Sequence, residues 1–306
     1  MKKPLLAIVG PTAVGKSALA IRLAAHLGGE IVSADSRQVY RHMNIGTAKP
    51  SVQDRSTVPH HLIDVVDPDE PYSLALFLEQ ATAAVSEIHT RGGLPILVGG
   101  TGQYVWALLE GWQVPRVEPD QRLRQRLEER ARFGGAEALH VELAGLDLEA
   151  ARRIDARNVR RVVRALEVRL SAPLGGPPSR TRVPISSEAL IIGLTIDREA
   201  LYRQIDDRVN GMIRTGWIDE VRDLISMGYR AGLPSMSGVG YRELTQHIED
   251  RLQLAEAVQR TKYRTHRLAR QQYAWFRLND NRILWFDGDD GFDAPEKAAL
   301  DWFQAP

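Results

Sequence analysis

The stretch "GPTAVGKS", residues Gly10 to Ser17, follows a short apolar run, Leu5 to Val9, and leads into Ser17 to Leu27, where apolar residues recur at helical spacing. Strand, glycine loop and helix, in that order, are the setting in which G-x-x-x-x-G-K-[ST] holds phosphate. The glycines let backbone N–H groups turn inward, Lys16 meets phosphate oxygens and Ser17 can reach Mg²⁺. The loop Gly10, Pro11, Thr12, Ala13, Val14, Gly15, Lys16 and Ser17 is therefore an anion cradle.

Outward from the loop, further strands are expected at Glu30 to Ala34, Leu62 to Val66 and Pro95 to Val98, with helices over Ser73 to Arg91 and Gly102 to Leu109. That alternation predicts an α/β fold with a parallel, helix-flanked P-loop sheet. After Gly111 the texture changes to Arg-, Glu- and Leu-rich helical stretches reaching about Leu170, and four prolines then punctuate Pro173 to Pro184. Residues 116–187 read as a helical insertion domain, with 1–115 and 188–306 as the core domain. The core resumes with a strand at Ala189 to Ile196, mostly helix from Arg198 to Leu278, a strand at Arg282 to Phe286 and a helix at Ala294 to Phe303.

Composition excludes several kinds of chemistry. The 306 residues contain no cysteine, which removes disulfides, thiolate zinc sites and thiol nucleophiles. A reducing cytosol is compatible with that absence. The apolar run ending at Gly10 is too short for a spanning helix and lacks a small-residue cleavage site, so neither export nor membrane insertion is expected. Net charge is only +1, yet arginines cluster in two places.

In "SADSRQVY", Asp35 lies at the carboxyl edge of the second strand, where open α/β sheets bind ligands. It could serve as a general base, and the alternative is a loop-capping Asp beside Ser36. "PILVGG" ends in Gly99, Gly100 and Thr101, where many ATP hydrolases carry a magnesium-holding acid. Thr101 instead offers a hydroxyl at a helix start, either as an N-cap or to a phosphate oxygen. His60 and His61 are adjacent, so in a strand they point to opposite faces, and a structural role is expected over a metal. Arg157, Arg160, Arg161 and Arg164 share one helix face opposite Val159, Val162, Val163, Leu166 and Leu170, with Glu167 the one acid near the stripe. A nearly pure arginine stripe calls for an anionic partner. A second cluster, Arg260, Arg264, Arg267 and Arg270 near Tyr263, Tyr273, Trp275 and Phe276, suits phosphates and stacked bases or a plain surface helix. Arg203, Arg208 and Arg214 are candidates for neutralising phosphate at the loop.

Seven blocks run in order along nearly the whole chain: "GPTAVGKS", "SADSRQVYRHMNIGTAKP", "PHHLIDVVDP", "LVGGTGQYV", "RNVRRVVRALEV", "GVGYREL" and "LARQQYAWFR". Together they closely resemble the bacterial tRNA dimethylallyltransferase family. The resemblance implies transfer of a dimethylallyl group from its diphosphate to N6 of the adenine 3′-adjacent to the anticodon, in tRNAs reading codons that begin with U. It casts the glycine loop as a diphosphate clamp with Mg²⁺ near Ser17. Asp35 would accept the N6 proton, Thr101 would contact the bridging oxygen and Arg208 would help neutralise the leaving group. Asp35, Ser36, Arg37, Gln38 and Thr101 match tRNA-meeting positions, as do Arg124 and the segment Arg160, Arg161, Val162, Val163 and Arg164. The implied partners are dimethylallyl diphosphate and a tRNA anticodon stem-loop, met by a cytoplasmic monomer away from membranes.

The match departs from the family where many relatives read Ala-Lys-Arg-Gln and this chain has Ala269-Arg270-Gln271-Gln272, which puts a phosphate contact at Gln271 in doubt. The zinc module of eukaryotic relatives is absent from the sequence. Rival readings are a P-loop nucleoside or metabolite kinase using ATP, a prenyltransferase acting on free adenine nucleotide, and a nonenzymatic RNA-binding protein.

Overall fold

The computed structural model describes residues 3–114, 120–171, 185 and 188–304. Six strands form one parallel sheet: β1 (Pro4–Val9), β2 (Gly29–Ser33), β3 (His60–His61), β4 (Leu94–Val98), β5 (Glu188–Thr195) and β6 (Leu284–Asp287), in the order β3-β2-β4-β1-β5-β6. The central strands are apolar on both faces because helices cover both. Leu5, Ala7 and Val9 of β1 pack with Phe77, Ile88 and Val105 on one side, while Leu6 and Ile8 pack with Leu19, Leu23 and Ile205 on the other. This is the α/β P-loop architecture expected from the sequence.

The strand expected at Leu62 to Val66 is displaced. β3 is confined to His60–His61, because Leu62 and Asp64 take φ values of 63° and 58°, incompatible with an extended run. The apolar character that suggested a strand is used differently: Val65 and Val66 donate their N–H groups to the Val39 carbonyl, and Val66 bridges Tyr40. The histidines have local partners, His60 Nδ1 with the Val58 carbonyl at 2.7 Å and His61 Nε2 with Glu30 at 2.7 Å. The last strand starts two residues later than expected, since Asp280 binds the Arg282 N–H and guanidinium in a turn.

The chain divides into two compact units, Met1–Trp112 with Arg182–Pro306, and Gln113–Thr181. The proline-rich loop at 173–184 lies outside the described residues. The smaller unit holds helices Gln121–Gly134, Ala136–Leu146, Leu148–Arg153 and Val159–Ser171 around Leu127, Leu139, Leu143, Val162, Val163 and Leu166. In the larger unit a further cluster at one end of the sheet sets Val39, Tyr40 and Met43 against Trp217, Val221 and Tyr241. This cluster supports the loops after β2.

Candidate active site

The loop between β1 and helix Lys16–Leu27 adopts conformations that its small residues permit. Gly10 has φ 138°, and a Cβ there would lie 2.3 Å from the Leu194 carbonyl oxygen of β5. Ala13 and Gly15 also have positive φ, and Gly15 stands at the helix N-terminus without a capping side chain, leaving first-turn amides available to an anion. The Lys16 ammonium is turned back on the loop, donating to the Pro11 carbonyl at 2.6 Å.

A cavity of about 760 Å³ opens beside this loop at the carboxyl edge of the sheet. Lys16 and Ser17 line it, as do Asp35, Thr101 and Arg208, so the candidates for holding phosphate and for taking a proton meet in one space. Arg208 comes from the Arg198–Arg214 helix, whose N-terminus is capped by Asp197, and its guanidinium donates to Thr12 Oγ1 at 3.4 Å. Of the three arginines considered on that helix, Arg208 is the one lining the cavity, while Arg203 reaches towards Glu199.

The cavity holds its cations reluctantly. Burial, reinforced by the Arg208 guanidinium, draws the Lys16 ammonium down to about 7, against the opposing pull of Asp35. Burial also lowers the Arg208 pKa, again opposed by Asp35. An incoming anion would oppose both effects, so the cradle favours negative charge.

Asp35 closes an Asx turn: its Oδ1 accepts the Arg37 N–H at 2.8 Å and the Gln38 N–H at 3.4 Å. The loop-capping and functional readings are therefore compatible, since Oδ2 takes no hydrogen bond among the described residues and the side chain borders the cavity. Thr101 precedes helix Gly102–Leu109 but makes no side-chain cap; its hydroxyl accepts the Ser36 N–H at 3.1 Å. The N-cap reading thus gives way to a tie between the loop after β4 and the loop after β2. Arg37 donates to the Pro234 carbonyl at 2.7 Å, and Gln38 donates to the Thr47 and Ala48 carbonyls while accepting from Ser33.

Two supports escaped the sequence reading. Glu220 accepts the N–H groups of Asn44, Ile45 and Gly46 at 2.7, 2.6 and 3.1 Å and the Tyr241 hydroxyl at 2.7 Å, fixing the "MNIGTAKP" loop that holds Gln38. Gln272 reaches between the phosphate loop and Gly100. Both are polar residues on helices far away in sequence; Gln272 lies in the LARQQYAWFR block, but nothing local shows which loops its amide joins.

The arginine face of the helical unit is only partly free. Val162 and Val163 are buried in the unit's core, so their side chains support the face that carries the arginines. Leu170, expected on the apolar face, is exposed. Glu167 is fully buried and ion-paired with both Arg124 and Arg164, which draws its carboxyl below the usual range despite burial. Arg160 and Arg161 are exposed. In the larger unit, Arg260 pairs with Glu256, Arg264 with Glu243, and Arg270 donates to Tyr202, while Arg267 and Tyr263 are exposed and Phe276 is core.

The family model described as IPP transferase matches residues 38–279, and one described as isopentenyl transferase matches residues 3–63. The chain is 56% identical over 280 residues to the tRNA dimethylallyltransferase of Roseiflexus castenholzii, covering 92% of each chain. It is 49% identical over 286 residues to that of Thermomicrobium roseum, covering 94% of this chain and 87% of the other. Among solved structures, the tRNA isopentenylpyrophosphate transferase of Bacillus halodurans aligns with TM-score 0.72 at 40% identity, over 99% of this chain and 96% of that one. A eukaryotic dimethylallyltransferase described as acting on tRNA aligns with TM-score 0.78 at 25% identity, over 97% of this chain and 78% of that one.

Proposed function

The chain belongs to the IPP transferase family, the family of the tRNA dimethylallyltransferases, and from that premise we propose how its own residues carry out prenyl transfer to tRNA. The observation that carries the reading is the meeting of a phosphate loop with Asp35 and Thr101 in one cavity, where the strand beside the loop ends in glycines and offers no acid.

Adenine N6 is a weak nucleophile, because its lone pair is delocalised into the ring. The reaction therefore needs an electrophile that ionises readily, and an allylic diphosphate supplies one. The bond from the allylic carbon to the bridging oxygen breaks, the bond from that carbon to N6 forms, diphosphate leaves with the electron pair, and the N6 proton passes to Asp35. The first-turn amides of the loop, Lys16 and Arg208 stabilise the charge that develops on the leaving diphosphate, and Thr101 contacts the bridging oxygen. No water needs activation, which fits the missing acid after β4.

Ser17 lines the cavity with a hydroxyl that has no protein partner among the described residues. Hard oxygen donors of this kind suit Mg²⁺, which usually completes its shell with phosphate oxygens and water. When bound, Mg²⁺ would supply further neutralisation of the diphosphate.

The acceptor is the adenine 3′-adjacent to the anticodon in tRNAs reading U-initial codons. It must leave the anticodon-loop stack to meet Asp35. Asp35, Ser36, Arg37, Gln38 and Thr101 form the acceptor side of the cavity, and the helical unit, residues 116–187 in the sequence reading, offers Arg160 and Arg161 to the RNA backbone, with Arg124 and Arg164 set by Glu167. The enzyme acts as a cytoplasmic monomer. No helix of the described residues is long and apolar enough to cross a membrane.

A direct transfer assay tests the reading: protein, Mg²⁺ and labelled dimethylallyl diphosphate, with unmodified tRNA, AMP or no acceptor, beside an ATP-consumption assay. Label entering tRNA alone is expected. Label entering AMP would assign a free-nucleotide prenyltransferase, and ATP consumption without label transfer would assign a kinase.

A further inference from the structure

The helix Leu254–Trp275 delivers a side chain to which the reaction above gives no task. Gln272 is 7% exposed, and its amide spans the space between the loops after β1 and β4. Its Oε1 accepts the Thr12 N–H at 2.8 Å, and its Nε2 donates to the Gly100 carbonyl at 3.1 Å. A primary amide carries acceptor and donor on one rigid plane, so it can satisfy an N–H on one side and a C=O on the other. A Cβ on Gly100 would lie 2.1 Å from Gln272 Nε2, so a larger residue there would have to displace the amide.

Both bonds lead on to reacting groups. Thr12 meets Arg208 through its hydroxyl at 3.4 Å, and Gly100 is followed by Thr101, whose hydroxyl holds the Ser36 N–H at 3.1 Å beside Asp35. The leaving-group clamp and the proton-accepting side are thus joined through one amide. Among the described residues, no other side chain bonds to both the Gly10–Ser17 loop and the Gly99–Thr101 segment.

We infer that Gln272 is a positioning residue that sets the register between the diphosphate cradle and the acceptor side, an inference that rests on the transferase reading above. Nucleophile and leaving group must lie in line across the allylic carbon, and a misplacement of about 1 Å can cost on the order of 100-fold in rate. Gln272 occupies the Thr12 N–H itself, so its removal leaves the other cradle donors intact and disturbs alignment more than ground-state binding.

Three variants test this in single-turnover transfer with both substrates saturating. Gln272→Met removes both hydrogen bonds at similar volume. Gly100→Ala displaces the amide from the opposite side. Gln272→Glu keeps the acceptor for Thr12 and loses the donor for Gly100 until its carboxyl is protonated. The expected result is a saturated rate lowered about 10- to 100-fold in Gln272→Met and Gly100→Ala, with the KM for dimethylallyl diphosphate and the Kd for tRNA within about threefold of the parent. In ligand-free protein the Thr12 amide should exchange with solvent faster in Gln272→Met, and hold its protection in Gln272→Glu. The saturated rate of Gln272→Glu should fall as well, because its carboxylate offers no donor to the Gly100 carbonyl. A saturated rate equal to the parent's, or a loss confined to KM, would overturn the inference. If Gln272→Met and Gly100→Ala fail to fold, the saturated rate of Gln272→Glu decides: a rate equal to the parent's overturns the inference. A parent protein that transfers no label to tRNA refutes the transferase reading instead, while the amide-exchange result still reports on the link itself.

Discussion

Pyrophosphate binding to the ligand-free protein should take up a proton, in an amount set by Lys16. Burial and the neighbouring Arg208 lower this ammonium from 10.5 to about 7. At that value Lys16 is about one-tenth neutral at pH 6, about half at pH 7 and about nine-tenths at pH 8. A bound diphosphate supplies the missing opposite charge and restores the charged form. Replacement by arginine keeps a cation that does not deprotonate, so Lys16→Arg isolates the proton uptake of the ligand itself. Calorimetric titration in buffers of different ionisation enthalpy should show the parent taking up about 0.9 more protons than Lys16→Arg at pH 8, about 0.5 at pH 7 and about 0.1 at pH 6. Equal uptake by the two proteins at pH 8 would refute the argument, because Lys16 would already be charged in the empty cradle. The same shift has a sign for stability. With the folded pKa below the unfolded one, the unfolded chain binds more protons between about 7 and 10.5, so ligand-free stability gains from Lys16 as pH rises through that window. Lys16→Arg should lack the gain.

Asp35→Asn, which keeps the Oδ1 acceptor for the Arg37 and Gln38 amides, should lower the single-turnover rate by about 10²- to 10⁴-fold with tRNA affinity nearly intact, and an unchanged rate removes Asp35 from proton transfer. Reversal of the exposed pair, Arg160→Glu with Arg161→Glu, should weaken tRNA binding and reduce its dependence on salt, measured by filter binding from low to moderate ionic strength; parallel salt slopes would dismiss that face as an RNA contact. Glu220→Ala strands three loop amides and the buried Tyr241 hydroxyl, so the urea midpoint should fall by an amount equivalent to about 1–3 kcal/mol, and an unmoved midpoint would show that water replaces the carboxylate.

The phosphate loop was legible in sequence because its conformation is written into consecutive residues, and β1 and β4 because both faces of a central parallel strand must be apolar. Leu62 to Val66 misled for a related reason. Its composition suits a strand, yet Leu62 and Asp64 are held at positive φ while Lys49 and Arg55 converge on the Asp64 carboxylate, a tertiary demand with no local signature. The arginine stripe showed the same limit. Helical spacing correctly set Arg160 and Arg161 outside and Val162 and Val163 inside, whereas the pairing of Arg164 with a buried Glu167 shared by Arg124 joins two helices whose contact no periodicity reveals. Thr101 was placed at the right point in the chain, but its bond to Ser36 depends on the adjacency of β2 and β4. Gln272 illustrates the extreme case, 260 residues from the amide it receives.

The order in which the ribosome releases this chain sets a delay on the phosphate loop. β1 emerges first, yet it is an inner strand whose Leu6 must wait for Leu190 of β5 before its second edge is covered. The loop waits longer still, since Phe292 lies against Gly15 and Gly288 against Val14, both contributed by the last part of the chain. A nascent chain that has already made "GPTAVGKS" therefore carries an open strand edge and an unsupported loop through most of its synthesis. Such an edge is prone to pairing with other chains. A chain cut before Gly288 would carry the whole motif yet lack the two residues that border Val14 and Gly15.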